Sequence, residues 1–245
     1  MDFDNATVIV TGGTGALGRA VVGALLAAGA RCRIPYIVDS EAAAFPHKEN
    51  VTLVPAGDLA EEAGIARLYD GVDDLWASIH IAGGFAMGAV AETDKSALMQ
   101  MLNMNFVSCY LCCAAALRCF GAAGERAGTR PGGGAGERTG GRIVNVTARP
   151  GIEPRLGAGM AAYAASKGAV ATFTQALAAE VAGRGILVNA IAPSIIDTPA
   201  NRAAMPKADH DAWPTPEEIA ATIAFLASPA NLVTTGAVVP VPGRT

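Results

Sequence analysis

The sequence predicts an α/β fold, a doubly wound (Rossmann) parallel sheet of about seven strands with helices on both faces. Short β-rich runs alternate along the 245 residues with longer Ala-rich segments of helical period, which is the order expected of a parallel sheet covered by helices. The run Val8 to Val10 is apolar at every position, and Ile143 to Val146 is apolar without alternation except at Asn145. Strands of a sheet that is buried on both faces have this continuous pattern.

The expected elements follow in chain order. The predicted strands are ATVIV, CRIPYIV, VTLVPA, WASIHIA, RIVNVT, ILVNAIA and AVVPV. The main predicted helices are Ala16 to Ala28, Asp94 to Phe120 and Ala161 to Ala182. Because a chain of this length buries most of the surface of its unfolded form and contains no evident linker, we expect a single domain over residues 1–245.

Residues 121–141 interrupt this alternation. The run is rich in glycine, charged and free of large apolar side chains. Such a composition does not bury enough apolar surface to order a chain, so we expect a flexible loop.

Charge and hydropathy exclude several classes of partner. The formal net charge is −4, whereas nucleic-acid-binding proteins show a clustered basic surface. No apolar run approaches the length that crosses a bilayer, and Thr7 to Thr11 lacks the basic flank of a signal peptide. We therefore expect a cytoplasmic protein that acts on a small molecule and binds neither nucleic acid nor membrane.

The cysteines occupy positions 32, 109, 112, 113 and 119. This spacing suits a reducing compartment. Three of them, Cys109, Cys112 and Cys113, lie in one predicted helix and suggest a metal or redox site. Because no histidine or other ligand is near them in the sequence, we favour packing as small apolar residues and expect no metal.

A glycine-rich turn follows the first strand and opens the first helix. Glycine permits the tight turn and lets the backbone approach a pyrophosphate, whose charge is stabilised by the N–H groups of a helix N-terminus. In this strand-to-helix context the pattern predicts a dinucleotide site. Its residues are Thr11, Gly12, Thr14, Gly15, Ala16, Leu17 and Gly18.

Tyr163 and Lys167 are four residues apart at the start of a predicted helix, so the phenol and the ammonium lie on one face. A free phenol has a pKa of about 10. A neighbouring cation stabilises its anion and brings proton transfer closer to neutral pH. The spacing is common by itself, and it gains significance from its position between RIVNVT and VNAIAPSIIDTP.

In combination these motifs resemble the short-chain dehydrogenase/reductase family, from Thr7 to Arg244. The resemblance implies an NAD(P)H-dependent oxidoreductase. In it Tyr163 donates a proton, Lys167 binds the nicotinamide ribose and lowers the pKa of Tyr163, and Asn105 holds a proton-relay water. It also implies cofactor contacts by Asp58, Leu59, Ala82, Gly83, Tyr163, Lys167, Pro193 and Thr198. His80 occupies a position where the family usually has Asn, and we interpret it as a core histidine.

The chain departs from this family at Ala148, where a serine usually binds the substrate oxygen. Thr147 is a candidate replacement, although alternation along the strand directs it away from the face of Ala148. Dihydropteridine reductases, one branch of the family, lack the same serine, and their substrate lid is similar to Asp197 to Asp209. This resemblance implies a quinonoid dihydropterin, or a similar conjugated imine or quinone, as substrate. The alternatives are a carbonyl reductase or alcohol dehydrogenase, and a non-redox nucleotide-binding member.

The same resemblance assigns the substrate site and the cofactor. It places residues 194–216 in a substrate lid and implies substrate contacts by Gly84, Phe85, Ala148, Met205 and Trp213. The acidic position that selects NAD is occupied by Tyr36, so NADH and NADPH both remain open. The segment Ile37 to Glu41 contains no Lys or Arg for a phosphate, which favours NADH.

The family also pairs two long helices across a two-fold axis. In this chain they correspond to Asp94 to Phe120 and Ala161 to Ala182, whose many small residues let helices approach closely. We therefore expect a homodimer or a homotetramer.

Overall fold

The computed structural model describes residues 2–47, 49–126 and 140–244. Seven parallel strands form one sheet in the order β3-β2-β1-β4-β5-β6-β7, which confirms the predicted fold class. The strands are β1 (Thr7–Thr11), β2 (Arg31–Tyr36), β3 (Val51–Pro55), β4 (Leu75–His80), β5 (Gly141–Val146), β6 (Ile186–Pro193) and β7 (Val238–Val241).

Helices connect the strands. They are α1 (Ala16–Ala27), α2 (Asp39–Ala43), α3 (Glu62–Tyr69), α4 (Lys95–Leu102), α5 (Ser108–Arg126), α6 (Arg149–Ile152), α7 (Ala161–Glu180), α8 (Pro199–Ala204) and α9 (Pro216–Ala227). A π-helical turn, Asn103–Val107, joins α4 to α5. The predicted helix Asp94 to Phe120 is therefore one helical run with a wider turn inside it, a feature that often marks a functional site.

The two faces of the sheet bury separate cores. Val8 and Val10 pack into the core beneath α1 and α9. Ile9, which points the opposite way, packs into the core beneath α3, α5 and α7. Every residue of β1 after Thr7 is buried, and this explains the continuous apolar pattern of the strand.

The predicted loop over residues 121–141 is wrong at both ends. Helix α5 continues to Arg126, and β5 already begins at Gly141. The Ala pair at 122 and 123 is a good helix former, whereas the loop prediction gave more weight to the glycines. Residues 127–139 lie outside the described part of the chain.

The helical run Lys95–Phe120 is long and apolar enough, by length and composition, to cross a membrane. The sequence-based expectation that no such segment exists is wrong on this criterion. A core helix of an α/β domain meets the same criterion, and Cys112 and Cys113 of this run pack into the core beneath the sheet.

The strand order reverses between β1 and β4, which places a crevice at their carboxyl ends. Thr11 pairs with His80 in the register of these strands. Beyond the strands, the Thr11 hydroxyl accepts a hydrogen bond from the Ala82 amide at 3.2 Å. The turn after β1 and the loop after β4 are thereby held side by side.

Candidate active site

A groove of about 620 Å³ opens at this crevice. Most of the predicted cofactor residues form its wall, namely Gly12, Thr14, Gly15, Ala16, Leu17, Gly18, Asp58, Leu59, Ala82, Gly83 and Thr198. Thr11 is instead buried behind it, and Pro193 ends β6. The wall also includes Ile81, Met104, Ser108 and Ile196, none of which was predicted individually as a contact residue.

The glycine turn fits a pyrophosphate. Gly12 has φ +69°, and a Cβ there would lie 2.8 Å from the Ala82 backbone nitrogen; a Cβ on Gly18 would collide with the Gly12 carbonyl. Helix α1 starts after Gly15, which provides no side-chain cap, and its first turn holds no acidic residue. The N-terminal amides of α1 are therefore suited to an anion.

Helix α7 is fixed to the end of β5 by three consecutive residues, of which Asn145 and Val146 belong to the strand and Thr147 follows it. The Asn145 amide donates to the Thr174 hydroxyl at 2.9 Å, and the Lys167 ammonium donates to the Val146 carbonyl at 2.9 Å. The Thr147 hydroxyl donates to the Lys167 carbonyl at 2.6 Å. We call this set of contacts the β5 clamp, and it holds Lys167 in a buried position.

The two titratable groups of the YxxxK motif have opposite shifts. Burial raises the pKa of Tyr163 to about 12. Burial lowers the pKa of Lys167 to about 8, and the charge of Cys109 opposes this shift. The lowering of the Tyr163 pKa that the family resemblance implies is not seen in the protein alone. At neutral pH Tyr163 therefore holds its proton and can donate it.

Asn105 lies in the π-helical turn and is buried. Its side-chain oxygen accepts the Gly84 amide at 2.9 Å, and its amide donates to the Gly84 carbonyl at 3.1 Å and to the Ser166 hydroxyl at 3.0 Å. The Ser166 hydroxyl donates in turn to the Tyr163 carbonyl at 2.7 Å. Asn105 thus positions the loop after β4 against the start of α7.

Thr147 does not replace the missing serine. Thr147 is 1% exposed and its hydroxyl is used in the β5 clamp, in agreement with the direction that the alternation of side chains along a strand predicted. Ala148 follows at the N-cap of α6 and is also buried. Neither position presents a hydroxyl to a substrate.

The predicted substrate residues fall into two groups. Phe85 is 59% exposed and packs edge to face on Tyr163, with 5.0 Å between the ring centroids. Gly84, which precedes it, bonds to Asn105. Trp213 is only 4% exposed and packs against His210, and it offers little surface to a substrate. Trp213 therefore packs inside the predicted lid segment and does not face an open substrate site.

Short contacts order the predicted lid, residues 194–216. Arg202 forms a two-bond ion pair with Asp197 at 2.5 and 2.8 Å. The half-buried Met205 accepts a hydrogen bond from His210 through its carbonyl at 2.8 Å. The Thr198 hydroxyl caps α8 by accepting from the Asn201 amide. These contacts keep the segment folded over the carboxyl ends of the strands.

The expectation that no histidine lies near the cysteines is wrong. His80 lies in β4, and its ring approaches Cys109 and Cys113, with the three ligand atoms within 4.8 Å of one another. The thiols therefore have a histidine beside them, which the separation along the chain concealed.

Comparison with known proteins places these features in context. The sequence profile described as short chain dehydrogenase matches residues 6–209. Galactitol 2-dehydrogenase (L-tagatose-forming) of Cereibacter sphaeroides is 32% identical, over 84% of this chain and 72% of the relative. Cis-4-hydroxycyclohexanecarboxylate dehydrogenase of Sinomonas cyclohexanicum is 31% identical, over 98% and 96%.

A solved structure shows the same fold at full length. An oxidoreductase from Burkholderia thailandensis, described as a short chain dehydrogenase/reductase family protein, superposes with a TM-score of 0.81. It is 27% identical and covers 98% of this chain and 92% of its own. None of the relatives named here shows the similarity to dihydropteridine reductases.

The surroundings of Gly83 lead to a testable prediction. A Cβ at this position would lie 2.5 Å from the Asn105 side-chain oxygen and 3.2 Å from the Lys167 nitrogen. We expect Gly83→Ala to displace both groups and to lower kcat by about 100-fold, the effect of a misplacement of about 1 Å. The measurement is the rate of NAD(P)H oxidation with the best carbonyl substrate of a panel.

Gly183→Ala is the matched control, because a Cβ there meets nothing within 4 Å. It should leave the rate unchanged. Equal rates in the two variants, at equal melting temperature, would contradict the assigned positioning of Asn105 and Lys167.

Proposed function

The chain belongs to the short-chain dehydrogenase/reductase family of oxidoreductases, and on this premise we propose that it is an NAD(P)-dependent carbonyl reductase or alcohol dehydrogenase that works without the usual serine. The observation that carries the proposal is the pair on α7 of Tyr163, whose pKa burial raises to about 12, and Lys167, four residues later, buried and held by the β5 clamp. In relatives of the chain, galactitol and a hydroxycyclohexane carboxylate are the named substrates. Both names point to the interconversion of a hydroxyl and a carbonyl group.

Each of three residues has a distinct role in the proposed reaction. Tyr163 gives its phenol proton to the substrate oxygen in reduction and accepts it in oxidation. The Lys167 ammonium stabilises the resulting phenolate, and Asn105 keeps the loop after β4 in register with α7. A bound nicotinamide supplies or accepts the hydride.

A conjugated, flat substrate is the second candidate. No hydroxyl at Thr147 or Ala148 is available to polarise an isolated ketone, and a quinonoid dihydropterin, which takes hydride on its ring, needs this donor less. The exposed Phe85 ring offers a flat apolar surface next to Tyr163, and aromatic rings favour such offset or edge contacts.

Ala148→Ser separates the two candidates. A donor aimed at a developing oxyanion is worth on the order of 10²-fold in rate where the chemistry needs it. On the carbonyl-reductase function we expect the added hydroxyl to raise ketone turnover, up to this limit. On the dihydropterin function pterin turnover falls or stays level, because the hydroxyl finds no carbonyl oxygen and crowds a flat ring. Both are measured as NADH oxidation.

Tyr163→Phe is the control for this experiment. Ketone reduction requires the phenol proton and should be lost, whereas a quinonoid ring can take its proton from water and lose less. A large gain for ketones in Ala148→Ser, with no pterin activity in any form, would reject the dihydropterin candidate. Cofactor binding without turnover on any substrate would instead favour a non-redox nucleotide-binding protein.

We propose NADH as the preferred cofactor. At the end of β2 the groove wall consists of Tyr36, Ile37, Val38 and Glu41. The Glu41 carboxylate accepts a hydrogen bond from the Thr14 hydroxyl at 2.9 Å, and this bond holds a negative charge at the edge of the glycine turn. A ribose phosphate in this part of the groove would be repelled by it.

Glu41→Gln should therefore improve NADPH binding relative to NADH by about fivefold, since one exposed charge pair at contact is worth about 1 kcal/mol. Asp39→Asn, which removes a charge outside the groove wall, should change the ratio little. Thermal shift measures this, because a ligand of the native state raises the melting temperature. Stronger stabilisation of the wild-type chain by NADPH would overturn the preference.

We also propose that the chain forms a homodimer or homotetramer in the cytoplasm and that it binds no nucleic acid or membrane. Tyr110 on α5 is exposed and packs on Phe173 of α7, with 5.1 Å between ring centroids. Phe106 completes this aromatic group. Aromatic side chains of this kind are enriched at the centres of protein interfaces. Cys32, Cys109, Cys112 and Cys113 form no disulfide, as suits a reducing compartment.

Light scattering tests the assembly. The wild-type chain should have the mass of a dimer or tetramer at micromolar concentration, and Tyr110→Asp should shift it towards monomer, because a charge at the centre of an interface is left without a partner. Phe225→Asp, on the exposed side of α9, should leave the mass unchanged. A monomeric wild-type chain would refute the proposed assembly.

A further inference from the structure

A buried cluster of soft ligands lies between the sheet and α5. His80 is the last residue of β4, and its register partner in β5 is Asn145. Cys109 and Cys113 are one turn apart on α5, so both thiols face the sheet. His80, Cys109 and Cys113 are each at most 5% exposed.

The spacing of these atoms is close to that of a tetrahedral site. Cys113 Sγ is 3.4 Å from His80 Nδ1, and Asn145 Oδ1 is 3.5 Å from that sulfur and 2.8 Å from that nitrogen. Ligand bonds of about 2.3 Å to sulfur and 2.0 Å to nitrogen, at tetrahedral angles, separate S from N by about 3.5 Å. Cys109 Sγ lies within 4.8 Å of the other two ligand atoms, so a shift of about 1 Å completes the geometry.

We propose that His80 Nδ1, Cys109 Sγ and Cys113 Sγ bind one thiophilic divalent d¹⁰ cation, Zn²⁺ or Cd²⁺, with Asn145 Oδ1 in the fourth position. The protein supplies all four positions, which is the arrangement of a structural rather than a catalytic metal site. The cation ties α5 to the ends of β4 and β5. Hard cations such as Mg²⁺ and Ca²⁺ require mainly oxygen ligands and do not suit this set.

The charges balance on binding. Both cysteines bind as thiolates, any proton still held by either sulfur is released to solvent, and the two thiolates neutralise the divalent cation; His80 and Asn145 bind as neutral ligands. A neutral complex avoids the large free-energy penalty of an uncompensated charge in a buried site.

Neighbouring hydrogen bonds already orient the ligands. The Asn145 amide donates to the Thr174 hydroxyl at 2.9 Å and so directs the oxygen of the same side chain into the cluster. On the far side of the imidazole, His80 Nε2 is 2.8 Å from the Ser78 hydroxyl, which is 2.7 Å from the Tyr69 hydroxyl. A metal-bound histidine typically donates its second N–H to such a partner. Metal binding at Nδ1 therefore requires the ring proton on Nε2, facing Ser78.

Binding is tested with Cd²⁺ and Zn²⁺ on the full, reduced chain. Because the cluster is buried, the metal is introduced both during expression in supplemented medium and by prolonged incubation, followed by removal of weakly bound metal with a chelating resin. We expect one Cd²⁺ per chain, a thiolate-to-Cd²⁺ charge-transfer band in the ultraviolet, and a higher melting temperature. An independent measurement is ¹⁵N NMR of the His80 ring, which should show the proton on Nε2 when the metal is bound.

Cys109→Ala, Cys113→Ala and His80→Asn should each weaken binding by at least about tenfold and reduce the charge-transfer band. Cys119→Ala, on the same helix but outside the cluster, should bind as the wild-type chain does. Ser78→Ala keeps every ligand and should weaken metal binding by about tenfold, because His80 Nε2 loses its hydrogen-bond partner. This variant tests the metal site if a ligand variant does not fold. A chain that retains no metal after either loading procedure, or binding unchanged in the cluster variants, would overturn the proposal.

Discussion

The parallel register of three central strands determines where the chemistry of this chain lies. Thr11, His80 and Asn145 stand in one row across β1, β4 and β5, so the carboxyl ends of these strands reach the same edge of the sheet. The glycine turn leaves one end of this row, the Gly83 loop leaves the middle, and the β5 clamp begins at the other end. The glycine-turn groove, Asn105 and the start of α7 are therefore neighbours because of backbone pairing, before any side-chain contact is considered.

The parts of the site that the sequence predicted are those that depend on local geometry. The glycine turn between β1 and α1 and the i, i+4 relation of Tyr163 and Lys167 are properties of short segments, and both are present as expected. The predicted strands agree with the observed ones to within one or two residues because each is an apolar run bounded by turn residues. The ends of helices were harder to predict, since Gly-rich residues after Phe120 continue the helix for six positions.

The features that the sequence concealed arise from long-range packing. His80 and Cys113 are 33 residues apart and meet only because α5 crosses the sheet at β4. The raised pKa of Tyr163 reflects burial by many parts of the chain, which no motif encodes. The Thr147 hydroxyl bonds to the Lys167 carbonyl because α7 packs close to the end of β5. Alternation along the strand gave the direction of this side chain correctly, but not its partner. Trp213 was predicted from the resemblance to contact a substrate, and its burial likewise depends on long-range packing that the resemblance did not show.

The β5 clamp has a mechanical consequence. Three consecutive residues at the end of β5, Asn145 to Thr147, hold α7 at two points along its length, through Lys167 and Thr174, so the helix cannot tilt or slide without breaking buried hydrogen bonds. The predicted lid is held by an ion pair between Asp197 and the half-exposed Arg202. Because water screens an exposed ion pair, this contact is weaker than the same pair would be in the protein interior. On the proposed function, substrate entry and product release would therefore be accommodated by movement of the predicted lid, while the Tyr163 phenol stays on a fixed helix.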